Sequence, residues 1–164
     1  MKKLLVAVIP LLLLNSCEFE VPFEATAKIT VNAKLLGQWE EVRGKSDGTP
    51  DRMLVLQHSA NEYVVEYPVG KKAMFFRAYD VELEGARYIQ VQLIGTAEGP
   101  VKSEDRKYTL LKVSVDGDTL EMRSIAADVV GKEAKDTAHL KAAFAKHKDD
   151  PKLFNEVVKF KRIK

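Results

Sequence analysis

Side chains that could act as nucleophiles or metal ligands are few in this chain of 164 residues, which contains one cysteine and three histidines. His139 and His147 are separated by eight positions. Two imidazoles that share a metal ion on one helix are usually three or four positions apart. The only cysteine, Cys17, belongs to an N-terminal signal described below. The sequence therefore favours neither a metal site nor thiol chemistry.

Acidic residues are a second set of candidates for catalysis or metal binding. Asp80, Glu82 and Glu84 alternate along one predicted strand, and paired carboxylates can act as acid and base in hydrolysis. A solvated outer face of the strand explains the same pattern. Asp116-Gly117-Asp118 is similar to part of a calcium-binding loop but lacks the other ligands of that motif, which favours a simple turn. We expect a protein that is not an enzyme and has no cofactor.

The elements that would position these residues are mostly strands. Stretches rich in β-branched and aromatic residues alternate with turn signals from residue 35 onward, which is typical of an antiparallel sandwich or barrel. Strands are predicted at 35–43, 53–58, 62–67, 74–83, 88–94, 107–115, 119–125 and 156–163. Eight strands are enough to close a small barrel and leave no exposed edge.

The period of the apolar residues changes near the C-terminus. Leu140, Ala143, Phe144 and His147 fall on one side of a helix over 137–147, with Asp136 as its N-cap. The predicted fold is therefore mainly β, a small antiparallel eight-stranded barrel with one short helix before the last strand.

The N-terminus carries an export signal. Lys2 and Lys3 precede an apolar stretch, 4–14, that is too short to cross a bilayer as a helix. Leu14-Asn15-Ser16-Cys17 then resembles the lipobox of bacterial lipoproteins. That resemblance implies cleavage before Cys17 and a diacylglycerol anchor on its sulfur. An ordinary secretory signal followed by a free cysteine is the alternative.

This signal divides the chain into a cleaved signal peptide (1–16), a lipidated tether (17–34) and a barrel domain (35–164). In the sorting rule of enteric bacteria, aspartate after the lipidated cysteine retains a lipoprotein in the inner membrane. Glu18 at that position favours the outer membrane, with the domain facing the periplasm. Cleavage would leave 24 basic and 24 acidic residues. Such neutrality argues against nucleic acid as a partner, because nucleic-acid binding requires a basic face.

A second resemblance concerns the barrel. Gly37-Gln38-Trp39 is similar to the Gly-x-Trp that begins the first strand of lipocalins, where an arginine from the last strand covers the tryptophan and closes the barrel. Arg162 stands at the matching place, and Arg43 and Arg123 are weaker candidates. The Thr-Asp-Tyr motif of lipocalins is absent. The overall layout resembles lipocalin-like bacterial lipoproteins of uncharacterised function.

Aromatic residues of the predicted strands are candidates for lining a ligand cavity. They are Tyr63, Tyr67, Phe75, Tyr79 and Tyr88. A hollow barrel lined in this way would bind a small apolar ligand. The alternative is a barrel filled by its own side chains, which would serve as a structural or assembly accessory that docks on an envelope protein complex.

Overall fold

A computed structural model describes residues 18–44, 48–131 and 134–164. Its strands are β1 (Gly37–Glu41), β2 (Arg52–Gln57), β3 (Tyr63–Glu66), β4 (Met74–Leu83), β5 (Ala86–Thr96), β6 (Gly99–Pro100), β7 (Tyr108–Asp116), β8 (Thr119–Ser124) and β9 (Val158–Arg162). Its helices are α1 (Ala127–Val130) and α2 (Thr137–His147). Cys17 and the lipobox lie outside the described residues.

The strands form one closed antiparallel barrel. Their order is β4-β3-β2-β1-β9-β8-β7-β5, and β4 pairs with β5 to complete the ring. The short β6 adds a ninth strand beside the end of β5. The predicted eight-stranded antiparallel barrel with a short helix before the last strand is therefore confirmed.

Local sequence signals explain several of these elements. The side chain of Asp136 accepts a hydrogen bond from the backbone N–H of His139 at 2.8 Å, so α2 begins with the predicted cap. Gly117 has φ +56° in the two-residue turn between β7 and β8, a conformation that glycine adopts without strain. The hairpins β2–β3 and β4–β5 are also present.

The two ends of the barrel differ. At the turn end lie the short connections β2–β3 (58–62), β4–β5 (84–85) and β7–β8 (117–118). At the loop end lie the longer connections, 42–51, 67–73, 97–107 and 125–157. The start of β1 and the end of β9 also lie at the turn end, because these two strands pair antiparallel with Trp39 opposite Arg162.

An inner cluster of apolar side chains fills the barrel. Six of the eight barrel strands supply its buried members and the other two, β5 and β7, pack against them, which places the cluster inside the ring. Its most deeply buried members are Trp39, Tyr63, Ala78, Leu120 and Phe160. Ile89 and Val91 of β5 and Val113 and Val115 of β7 stay partly exposed. The interior is thus dense around Trp39 and looser beside these two strands.

An outer cluster covers one side of the barrel. It joins the outward-facing residues of β4, β5 and β7 to α1, α2 and an N-terminal segment. That segment, residues 18–32, is here named the strap. Phe19 and Phe23 of the strap and Leu140 and Phe144 of α2 are all fully buried. The segment expected to be a tether therefore packs on the barrel, because its two phenylalanines find an apolar outer face.

Candidate functional site

The barrel is not closed along its whole height. Among the described residues, β5 and β7 pair only from Ile89 opposite Leu111 to Gln92 opposite Tyr108. Beyond Ile89, toward the turn end, β5 pairs with β4 and β7 pairs with β8, but β5 and β7 do not pair with each other. The two strands therefore separate at the turn end. The opening between them is here named the seam cleft.

A cavity of about 70 Å³ occupies the seam cleft. It is lined by Asn32, Leu35, Asp80, Arg87, Tyr88, Ile89, Val113 and Val115. Four of these are aliphatic, and they come from the strap-to-barrel connection and from the two separated strands. The lining therefore combines these aliphatic side chains with the polar groups of Asn32, Asp80 and Arg87.

A buried carboxylate lines this cleft. Asp80 on β4 is only 3% exposed, and one of its carboxylate oxygens accepts a hydrogen bond from the Tyr63 hydroxyl at 2.8 Å. The other oxygen lies 4.0 Å from Nε of Arg87, beyond hydrogen-bond distance. The Tyr63 hydroxyl also accepts a 2.5 Å hydrogen bond from the backbone N–H of Asn32. Tyr63 thus ties the end of the strap to the buried carboxylate.

Burial dominates the electrostatics of this group. It raises the pKa of Asp80 above its ordinary value, while the hydrogen bond from Tyr63 and the charge of Arg87 lower it by less. Burial also raises the pKa of Tyr63, so this hydroxyl stays protonated and acts as a donor. The cleft therefore presents an acceptor oxygen beside the four aliphatic side chains of its lining. Such an arrangement favours a ligand that donates a hydrogen bond or carries a positive charge.

The structure separates the five aromatic candidates, with two in the inner cluster, two in the outer cluster and one in neither. Tyr63 and Tyr67 belong to the inner cluster. Tyr79 and Tyr88 belong to the outer cluster, where Tyr88 stacks on Phe154 with ring centroids 5.8 Å apart. Phe75 lies half-buried at an irregularity in the β4–β5 pairing. The five rings therefore do not line a single cavity, and the described cavity borders one of them, Tyr88.

Tyr79 holds the strap. Its hydroxyl donates to the carbonyl oxygen of Glu24 at 2.6 Å, and burial raises its pKa to about 12. Gln90 on β5 is fully buried, and its side-chain oxygen accepts from the backbone N–H groups of Phe23 at 2.6 Å and Glu24 at 3.2 Å. These bonds satisfy backbone groups that the strap buries without a partner strand.

The tryptophan and arginine expected from the lipocalin resemblance lie in contact. Cζ of Arg162 is 4.1 Å from the centre of the Trp39 ring, a cation–π distance. The Arg162 guanidinium also donates to the carbonyl oxygens of Leu36 and Lys34, both at 2.7 Å. Trp39 donates from Nε1 to the Leu35 carbonyl at 2.9 Å. Together these contacts cover the turn end beside β1 and β9.

The backbone conformation and surroundings of Gly37 explain why the Gly-x-Trp pattern begins with glycine. Its φ is +116°, and a Cβ atom there would lie 3.1 Å from Nη1 of Arg162. Any other residue would be strained at this φ and would crowd the guanidinium. Arg43, in contrast, pairs with Glu41 and Asp51 at the loop end, so it is not the closing arginine.

Sequence reasoning missed Asp80 as an interior group. The pattern Asp80, Glu82, Glu84 is compatible with paired carboxylates or with a solvated outer face, but Asp80 is buried and Glu82 is exposed. Both side chains lie on the same face of β4, but Glu82 is nearer the turn end of the strand and is exposed. The available signal was spacing: Asp80 is two positions after Ala78 on the same strand, so the two side chains share a face, and Ala78 faces inward. The strand separation beside Val113 has no sequence signal.

The connection from β1 to β2 contains Gly44-Lys45-Ser46-Asp47-Gly48, which has the letters of a serine nucleophile elbow. Residues 45–47 lie outside the described residues. An elbow joins a strand to a following helix. Here the flanking elements are two antiparallel neighbouring strands, β1 and β2, which favours a hairpin connection.

No group of three or more metal-ligating side chains occurs in 18–44, 48–131 and 134–164. In the same ranges, no helix has the length and apolar character needed to cross a bilayer. Comparisons with protein-family models, with curated proteins and with solved structures found no match. The barrel, its seam cleft and the covering strap are therefore interpreted from their own physical chemistry.

Proposed function

We propose that the protein is a lipid-anchored protein of the bacterial envelope whose barrel binds a small molecule in the seam cleft, without catalysis. One observation carries this proposal. A buried carboxylate, Asp80, lines an opening where two barrel strands separate, together with four aliphatic side chains. Burying a carboxylate and leaving strand edges unpaired both cost stability, so their coincidence favours a functional origin.

The chemistry of the cleft defines the ligand. Leu35, Ile89, Val113 and Val115 would contact an apolar body, while Asp80 would accept a hydrogen bond from an ammonium or hydroxyl group. Sites for drug-sized molecules have volumes of roughly 300–1,000 Å³. The cavity of about 70 Å³ is much smaller. The ligand is therefore a small amine or alcohol, or the polar tip of a longer apolar molecule.

Binding rather than catalysis is proposed because of the residues that surround Asp80. Its two polar neighbours are a protonated tyrosine and an arginine. The residues that line the described cavity include no histidine, serine or cysteine that could act with it as nucleophile or proton carrier. The lipid anchor on Cys17 and the preference for the outer membrane rest on the lipobox and on Glu18.

A cavity-filling variant tests the proposal. The membrane-bound protein, extracted from its own host with a membrane-solubilising polymer, is denatured and the released small molecules are identified by mass spectrometry. Val113→Trp should abolish one released species because the larger side chain fills the cleft. Leu56→Trp is the matched control, since Leu56 is 51% exposed on β2. Circular dichroism checks that both variants fold. A ligand retained by Val113→Trp would contradict binding in the seam cleft.

The second candidate function is that of a filled barrel acting as an assembly accessory. The dense packing around Trp39, Tyr63 and Phe160, each no more than 1% exposed, favours it. In the same experiment, a wild-type protein that releases no species beyond those released by both variants would support the accessory. Cross-linking in intact cells would then identify the docked envelope protein.

A further inference from the structure

The strap is fixed to the barrel from its first residues. Phe19 and Tyr108 exchange two backbone hydrogen bonds, with N–O distances of 2.8 and 2.9 Å. The Phe19 side chain is fully buried and meets Phe23 edge to face at 5.3 Å. Glu20 pairs with Lys107 beside this bridge. The chain therefore has no freedom to act as a long spacer from Phe19 onward.

The distance from this fixed point to the anchor is short. One residue, Glu18, separates Phe19 from Cys17. Two residues of extended chain span at most about 7 Å. The polar layer on each side of a bilayer is also only about 5–7 Å thick. A lipid on the Cys17 sulfur would thus hold Phe19 at the outer edge of the lipid headgroups.

Phe19 marks one end of the barrel. Its partner Tyr108 is the first residue of β7, at the loop end, directly after the connection 97–107. From there the strap crosses the outside of β5 and β4 and reaches the turn end, where Val31 bonds to the Ala60 carbonyl. The anchor is therefore beside the loop end, and the strap leads away from it.

We propose that the loop end, with the connection 97–107 foremost, lies directly on the headgroups of the membrane that holds the anchor, and that the seam cleft faces away from that membrane. This inference rests on the proposed lipidation of Cys17. Val113 follows Tyr108 by five residues, about 17 Å along the strand, so the cleft opens well clear of the bilayer. A ligand would enter from the aqueous side.

The contact of the connection 97–107 is set by geometry and not by charge. The connection 97–107 carries three basic and three acidic residues, so it has no net attraction for anionic lipids. The docked orientation should therefore persist at high ionic strength and on neutral vesicles. An electrostatically bound face would detach when salt screens it.

Two matched serines provide the test. Ser103 lies in the connection 97–107 and Ser114 lies toward the turn end of β7, and both are exposed. Ser103→Cys and Ser114→Cys are made separately in the full-length lipidated protein, labelled with bimane and reconstituted into phosphatidylcholine vesicles that contain lipid with a nitroxide headgroup. The label at 103 should be quenched several-fold more than the label at 114, at low and at high salt. Equal or reversed quenching would overturn the orientation.

A spacer variant provides the control. Ten Gly and Ser residues inserted between Glu18 and Phe19 would add a reach of about 17 Å as a flexible chain. The difference between the two labels should then disappear. The intact mass of each preparation reports the acyl groups on Cys17. A chain without them would refute the proposed anchor and the docking with it, whereas lipidated protein with equal quenching would refute the docking alone.

Discussion

The inner and outer clusters bury similar aromatic residues in different ways. The inner cluster is enclosed by the eight barrel strands, and its rings are held by neighbours that the sheet fixes in register. The outer cluster is covered by a strap and a helix, which meet where Phe23 packs edge to face on Phe144 at 5.9 Å. The first cluster defines the fold. The second is a cover that can open locally while the barrel remains intact.

The largest effect is expected in the inner cluster. Trp39→Ala should lower the free energy of unfolding by about 3–5 kcal/mol, because the rigid ring of strands cannot collapse into the space left by the indole. Arg162→Ala should cost less, since it removes contacts above the ring and leaves the core filled. Chemical denaturation of the mature chain measures both. A smaller loss for Trp39→Ala than for Arg162→Ala would contradict the enclosed inner cluster.

A smaller effect is expected for the matching substitution in the outer cluster. Phe23→Ala should cost about 1.5–3 kcal/mol, the value of burying one ring without a lasting cavity, because the strap can settle inward or detach. Hydrogen exchange should rise in the strap and in α2 and stay low in the barrel strands. Exchange that rises uniformly through all strands would show that the two clusters unfold as one unit.

The bonds that hold the strap can be tested separately from its packing. Gln90→Leu introduces an apolar side chain of similar size and leaves the backbone N–H groups of Phe23 and Glu24 without their acceptor. The expected cost is about 1–3 kcal/mol, the penalty for buried donors without partners. Gln57→Leu, at an exposed site on β2, is the control and should change stability little. Equal costs for the two variants would mean that Gln90 does not hold the strap.

This difference between the clusters also explains what could be predicted from the sequence. The hairpin at Gly117 and the helix capped by Asp136 depend on residues close in the chain, and both were predicted. The inward position of Trp39 follows from strand alternation. The outer cluster depends on contacts across 55 or more positions, such as Tyr79 with Glu24. No local periodicity of apolar residues in the sequence predicts such contacts.

The candidate site was harder to predict for a related physical reason. β4 carries buried residues on both faces, with Ala78 inside and Tyr79 under the strap, so alternation could not assign its sides. Asp80 therefore resembled a surface carboxylate. The seam cleft depends on where the pairing of two strands stops, which the hydrophobic pattern does not encode.

The smallest effect on stability is expected at Asp80, and its sign distinguishes a ligand group from a structural one. The folded protein raises the pKa of Asp80 above 3.8, mainly through burial. The folded state therefore holds this proton more tightly than the unfolded chain does. The stability that Asp80 contributes is present below pH 3.8 and is lost as the pH rises through the folded-state pKa. Asp80→Asn removes that loss and can still accept the hydrogen bond from Tyr63.

Asp80→Asn should thus match the wild type near pH 3 and be equally or more stable near pH 7.5. Denaturant midpoints at the two pH values measure this, with exposed Asp105→Asn as the control. The variant should also lose the molecule released from the wild-type cleft. If it is instead destabilised at neutral pH, the carboxylate is held as a structural partner of Arg87. A carboxylate that weakens the fold and yet is required for the ligand belongs to the binding site.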